Sequence, residues 1–186
     1  MDSVALIAPY EGMAEMAKGI CKEFEKPIAI EVGDLQEGLK KAKNLMERGV
    51  EVIISRGGTA QLLKQELVIP IVEIQVTTYD ILRALQKILN RSQKIGIIGF
   101  GNVVYGSHKL ADLLNLDLMT FILQKEEDVP RKIEEAIQKK VDIIIGDKVV
   151  ISYANKLDYP SFLIESGKES ILLSFHEAYR VLEVVR

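Results

Sequence analysis

The sequence predicts an α/β fold of two similar lobes, each a parallel sheet covered by helices, with a ligand cleft between them. Short β-branched runs alternate with amphipathic segments from end to end, the order that parallel strands and their crossover helices impose. The two halves of the 186-residue chain also align on one another at an offset near ninety positions, as a duplicated unit would. Several runs end in turns carrying glycine and polar residues, and open parallel sheets bind small ligands beyond the carboxyl ends of their strands.

Taken in order, the strand-length runs are Val4–Ala8, 28–32, 50–55, 69–76, Lys94–Phe100, 118–123, 141–146 and 160–164. In 35–48, Leu35, Leu39, Ala42, Leu45 and Met46 recur at helical spacing while Lys40, Lys41, Lys43 and Glu47 take the other side, which predicts a covering helix. The repeat is visible where Pro70 recurs as Pro160, each opening a strand, and where Val52-Ile53-Ile54 recurs as Ile143-Ile144-Ile145. Leu6-Ile7-Ala8 falls on Ile97-Ile98-Gly99, the helices 39–47 and 130–138 align, and Asp80-Ile81-Leu82 lies against Ser170-Ile171-Leu172. These matches predict two Rossmann-like lobes, the first 1–77 plus 167–186 and the second 78–166, with the helices near Thr78 and Gly167 passing between them.

Composition removes several function classes. A formal charge of -3 argues against a sequence-independent grip on a phosphate backbone, so no direct nucleic-acid binding is expected. Cys21 is the single cysteine, which excludes an intrachain disulfide, a cysteine-rich metal site and a two-cysteine racemase, and suits a reducing compartment. Asp2 stands where a secretion signal would carry a base, and no apolar stretch approaches bilayer length; the expectation is a cytoplasmic protein without membrane insertion.

The strongest local signal is Ser55-Arg56-Gly57-Gly58-Thr59, between the apolar run 50–54 and a helix expected over 60–65. Glycines let the backbone approach a ligand, a helix start offers unpaired N–H groups, and Arg56 adds a forked cationic donor; together they favour carboxylate or phosphate. An ordinary turn explains the same residues if Ser55 or Thr59 caps the helix and Arg56 pairs with a surface acid.

The run 52–60, then 69–74 and 79–85, resembles the N-terminal effector-sensing domain of propionate-catabolism activators, which are sigma-54-dependent, NtrC-family transcriptional regulators. The likeness extends through Lys94–Phe100 to 164–171. It implies a domain that binds 2-methylcitrate or a related acid and relieves repression of an attached AAA+ activator domain. It also implies possible homo-oligomers, since such activator domains assemble into rings. The chain departs from a full regulator in carrying no ATPase or helix-turn-helix region.

Other turns carry weaker signals. Gly99-Phe100-Gly101-Asn102 mirrors Pro9-Tyr10-Glu11 of the first half, so Tyr10 and Asn102 are expected to face the cleft from opposite lobes. It is no dinucleotide fingerprint, because Val104 replaces the third glycine. Gly146-Asp147 is the counterpart of Ser55-Arg56 and lacks the arginine, so the first lobe is expected to hold the charge and the second to complete the enclosure. Ser166-Gly167-Lys168-Glu169 and, more loosely, Thr77-Thr78-Tyr79-Asp80 have capping-box spacing, and helix capping is the expected role of both. His108 and His176 stand alone, without acids or cysteines at metal-ligand spacing, so no metal and no cofactor is assigned.

The expected function is therefore a binding module that senses a small anionic metabolite, with Tyr10, Ser55, Arg56, Gly57, Gly58, Thr59, Asn102, Gly146 and Asp147 as candidate contacts. An enzyme using Glu11, Glu73 or Asp147 as general base on a small acid is the alternative, disfavoured by the absence of any nucleophile–base pair, G-x-S-x-G elbow or Walker A run. A phosphorylated receiver is rejected, because Pro9-Tyr10 and Ser55-Arg56 occupy the strand ends where it would need acids.

Overall fold

The computed structural model describes residues 1–88 and 93–186, Asn102 by its backbone alone. The chain divides into two compact units, Met1–Gln75 with Ser166–Arg186, and Val76–Glu165. The first contains β1 (Val4–Ala8), α1 (Glu11–Cys21), β2 (Ala29–Val32), α2 (Leu35–Glu47), β3 (Val52–Ser55), α3 (Gly57–Glu66) and β4 (Ile71–Glu73). The second contains α4 (Thr78–Gln86), β5 (Lys94–Phe100), α5 (Gly101–Val104), α6 (Ser107–Leu114), β6 (Asp117–Leu123), α7 (Val129–Gln138), β7 (Ile143–Gly146), α8 (Lys148–Lys156) and β8 (Ser161–Leu163). The chain then returns to the first unit for α9 (Lys168–Val185).

Each unit holds a four-stranded sheet, in the orders β2-β1-β3-β4 and β6-β5-β7-β8. Every pairing is parallel, because a helix carries each strand's carboxyl end back to the start of the next. The matching orders make the expected duplicated α/β architecture a structural fact.

Central strands are buried on both faces, which is why they read as unbroken apolar runs. In the first unit Ala5, Ile7 and Ile53 pack against Leu39, Ala42 and Leu45 of α2 and Leu63 of α3. Helix α9 packs on β1, β3 and β4 and buries Phe175 completely. In the second unit the alternation of strand side chains separates two layers. Ile98, Phe121, Leu123 and Ile144 lie with Ile133 and Ala136 of α7 and Val150 and Ala154 of α8. Ile95, Ile97, Ile143 and Ile145 lie instead with Ile81, Ala84 and Leu85 of α4 and Val104 of α5.

Five strands are shorter than the runs read from the sequence, β2 by one residue, β3, β7 and β8 by two each and β4 by five, and β3 and β4 show why. Val50 is buried like a strand residue, but its N–H bonds back to the Leu45 carbonyl in the turn that ends α2, where Gly49 takes φ +99°, so β3 begins at Val52. Strand β4 has β3 as its one sheet neighbour, and after the Ile74 N–H bonds the Ser55 carbonyl at 2.8 Å the chain leaves the sheet.

The loose capping box at Thr77 is complete. Thr77 Oγ1 accepts the Asp80 N–H at 3.2 Å and Asp80 Oδ2 accepts the Thr77 N–H at 3.0 Å, while Asp80, fully buried, also pairs with Arg83 at 3.1 Å. Thr77→Ala is expected to lower stability by about 1 kcal/mol in chemical denaturation. No loss would mean that packing alone holds the start of α4. Among the described residues no helix is long and apolar enough to cross a membrane.

Candidate anion site

Strand β3 delivers its last residue against β1, where the Ser55 hydroxyl donates to the Ile7 carbonyl at 2.8 Å in a buried bond. Arg56 follows in extended backbone (φ -139°, ψ 151°) as the residue before α3. Gly57 takes φ +57°, a conformation that favours glycine. That freedom lets the helix begin at once, three residues earlier than the apolar pattern suggests, and brings Gly58 and Thr59 into its first turn.

Neither Ser55 nor Thr59 caps α3, contrary to the ordinary-turn explanation. Thr59 Oγ1 donates to Asp34 Oδ1 at 2.8 Å and accepts the Leu35 N–H at 2.9 Å, fastening α3 to the start of α2. Leu35 stands there at φ +47°, an uncommon conformation for a branched side chain that these bonds hold in place. Glycines permit the approach: a Cβ added at Gly38 would lie 2.8 Å from the Gly33 carbonyl oxygen and 2.9 Å from Thr59 Cγ2.

Arg56 is only 3% exposed. Its Nη1 donates to Ser166 Oγ at 2.8 Å and to Tyr10 Oη at 3.3 Å, and the guanidinium lies 5.3 Å from the centroid of the Tyr10 ring. Tyr10 Oη also accepts the Ser166 N–H at 2.9 Å. Nη2 is buried and bonded to nothing. Among the described residues no acid pairs with Arg56, so the surface ion pair of the ordinary-turn explanation does not form.

The hydrogen-bond inventory gives this cluster a sign. Both hydroxyls spend lone pairs on neighbouring N–H groups, and neither hydroxyl proton meets an acceptor among the described residues. Arg56 Nη2 has spare hydrogens as well. The unused donor hydrogens outnumber the one lone pair left on Ser166 Oγ, and a guanidinium keeps its charge in proteins, so the cluster is complementary to an acceptor carrying negative charge. Burying a cation without a partner costs several kcal/mol, which an oxyanion at Nη2 would offset.

Ser166 corrects the sequence reading. The residue before α9 is Gly167, with Ser166 one place further out and its hydroxyl committed to Arg56, so it does not serve as the expected cap. Sequence reasoning missed Ser166, together with Asp34, Gly33 and Gly38.

The remaining candidates lie in the second unit. Asn102 belongs to α5, and its side chain lies outside the described residues. A Cβ at Gly146 would sit 2.7 Å from Val150 Cγ1 and 3.0 Å from the Ile98 carbonyl oxygen, so close packing accounts for that glycine. Asp147 caps α8, its Oδ1 accepting the Val150 N–H at 3.2 Å. Of the carboxylates considered as bases, Glu11 is exposed and Glu73 is paired with Lys64 at 2.7 Å. His108 contacts Thr120 Oγ1 at 3.0 Å and His176 the edge of Phe24, and no group of metal-ligating side chains occurs among the described residues. Burial, and then the nearby Asp2 charge, raise the Cys21 thiol above its ordinary pKa.

Residues 22–186 match the model of a protein family described as propionate catabolism activator. The crystal structure of an NtrC family transcriptional regulator from Clostridium acetobutylicum has the same fold, with a TM-score of 0.86 and 24% identity over 98% of this chain and 97% of that one. An ABC domain from Streptococcus pneumonia, solved in complex with L-Trp, is a more distant likeness, with a TM-score of 0.47 and 13% identity over 99% of this chain and 84% of that one.

Proposed function

The chain belongs to the propionate catabolism activator family, and we propose that it is the regulator's effector sensor, binding a small carboxylate-bearing metabolite through Arg56. It is a regulatory domain rather than an enzyme. The observation that carries the reading is the buried, unbonded Nη2 of Arg56, on a guanidinium whose Nη1 is held by the hydroxyls of Tyr10 and Ser166. A carboxylate carries one charge to match one guanidinium, and its two oxygens have lone pairs enough for Nη2 and both hydroxyls. Arg56 stands immediately before α3, and the N-terminus of that helix favours the same sign of charge. Effector binding would regulate the attached AAA+ activator domain to the extent that it favours one state of the sensor over another.

Thermal unfolding against 2-methylcitrate, citrate, succinate, propionate and phosphorylated metabolites tests this. A ligand at a hundred times its dissociation constant adds about 2.7 kcal/mol of stability. At least one carboxylic acid is expected to raise the midpoint, Arg56→Ala to abolish the rise, and Tyr10→Phe or Ser166→Ala each to weaken binding by about 1.5 kcal/mol. A panel without any shift, or a shift that survives Arg56→Ala, removes the proposal.

A further inference from the structure

A second feature of the first unit is independent of Arg56. A groove of about 620 Å³ runs between α9 and the chain that follows α1. Its floor is Ile20, Phe24 and Leu172. Phe24 packs against Phe175 and His176 in T-shaped pairs and against Tyr179 in a tilted one, at ring separations of 5.4, 5.1 and 5.9 Å, and the Tyr179 hydroxyl donates to the Pro27 carbonyl. Each end carries one exposed ion pair, Lys168 with Glu23 at 3.4 Å and Glu183 with Lys26 at 3.9 Å. An apolar centre with a charged rim is the anatomy of a protein interface.

The order of residues along α9 points to the occupant. Lys168, Leu172, Tyr179 and Glu183 are spaced so that about 100° per residue places them all within roughly 60° of arc on one face. Turning that face end for end, about a point between Phe175 and His176, exchanges Lys168 with Glu183 and Leu172 with Tyr179. Base therefore meets acid and apolar meets apolar. The two ion-pair partners obey the same exchange, since Glu23 stands beside the base at one end and Lys26 beside the acid at the other. A surface complementary to itself under a two-fold rotation is what an isologous dimer requires.

We propose that this groove is occupied by a second copy of the chain, the two α9 helices packing antiparallel with Lys168 of each against Glu183 of the other. Leu172 and Tyr179 cover each other across the centre, and the two-fold axis passes beside His176.

Sedimentation of the 186-residue chain is expected to give twice the 20.8 kDa of one protomer. Lys168→Glu and Glu183→Lys each place like charges opposite one another twice, by symmetry, and each is expected to weaken dimerisation by at least about tenfold. Mixing the two variants restores both opposite-charge contacts in a heterodimer, so the mixture is expected to associate where neither variant does alone. Both intrachain pairs are exposed and contribute little to folding, so the unfolding midpoints should stay close to that of the parent. A monomeric parent chain, a dimer indifferent to both reversals, or a mixture no tighter than its components overturns the proposal.

Discussion

Arg56→Met is expected to raise the unfolding midpoint of the ligand-free protein while abolishing its response to carboxylates. Methionine has a similar length and no charge, so it can fill the space beneath Tyr10 without a buried, unpaired cation. Replacing buried ionic groups with apolar side chains of similar volume is often stabilising by about 1–4 kcal/mol. The lower part of that range applies here, because the substitution also removes two hydrogen bonds from Nη1. Tyr10 and Ser166 remain joined through the 2.9 Å bond from the Ser166 N–H, so the surrounding backbone has no cause to collapse. Calorimetry of the two proteins, with and without the acid that binds, gives both quantities. A variant several kcal/mol less stable than the parent would make Arg56 a structural residue, and the case for a ligand would lose its physical basis.

Phe175→Ala is expected to cost about 3–5 kcal/mol, with the damage confined to the first unit. Phe175 is fully buried, it lies on the helix that packs against β1, β3 and β4, and its ring supports Phe24. Although α9 follows β8 in sequence, it belongs to the compact unit formed by residues 1–75. Hydrogen exchange should therefore accelerate in β1, β3 and β4 while β5 and β7 stay protected. Equal loss across both sheets would mean that the units do not unfold separately.

The fold was largely legible because its signals are local. Strands β1 and β5 have the bounds read from the sequence, each a continuous apolar run ended by a turn residue. The errors came from residues that are buried without being paired, such as Val50, and from an edge strand whose apolar flank continues past its last ladder bond. Duplication preserved backbone order and not chemistry: the end of β3 carries Arg56, whereas the equivalent end of β7 carries a glycine needed for packing and a capping aspartate.

The site was legible only in part. Ser55 to Thr59 stood out because glycines, a cation and a helix start are adjacent in sequence. Ser166 did not, since it lies 110 positions from Arg56 and its neighbours imitate a helix cap. Gly38 carried no signal of its own in the helical pattern 35–48, and its purpose appears only when Gly33 and Thr59 are seen against it. Pattern reads neighbours along the chain, and hydrogen bonds between distant strand ends leave no such pattern.

The most direct test is nitrogen-15 NMR of the Arg56 guanidinium during titration with the carboxylic acid that stabilises the protein. The Nη2 protons are expected to shift downfield and saturate at the same concentration as the thermal effect, with loss of the signal in Arg56→Lys. An acid that binds with measurable heat while the Nη2 signal stays unchanged would contradict the assignment of Arg56 as the anion-binding group.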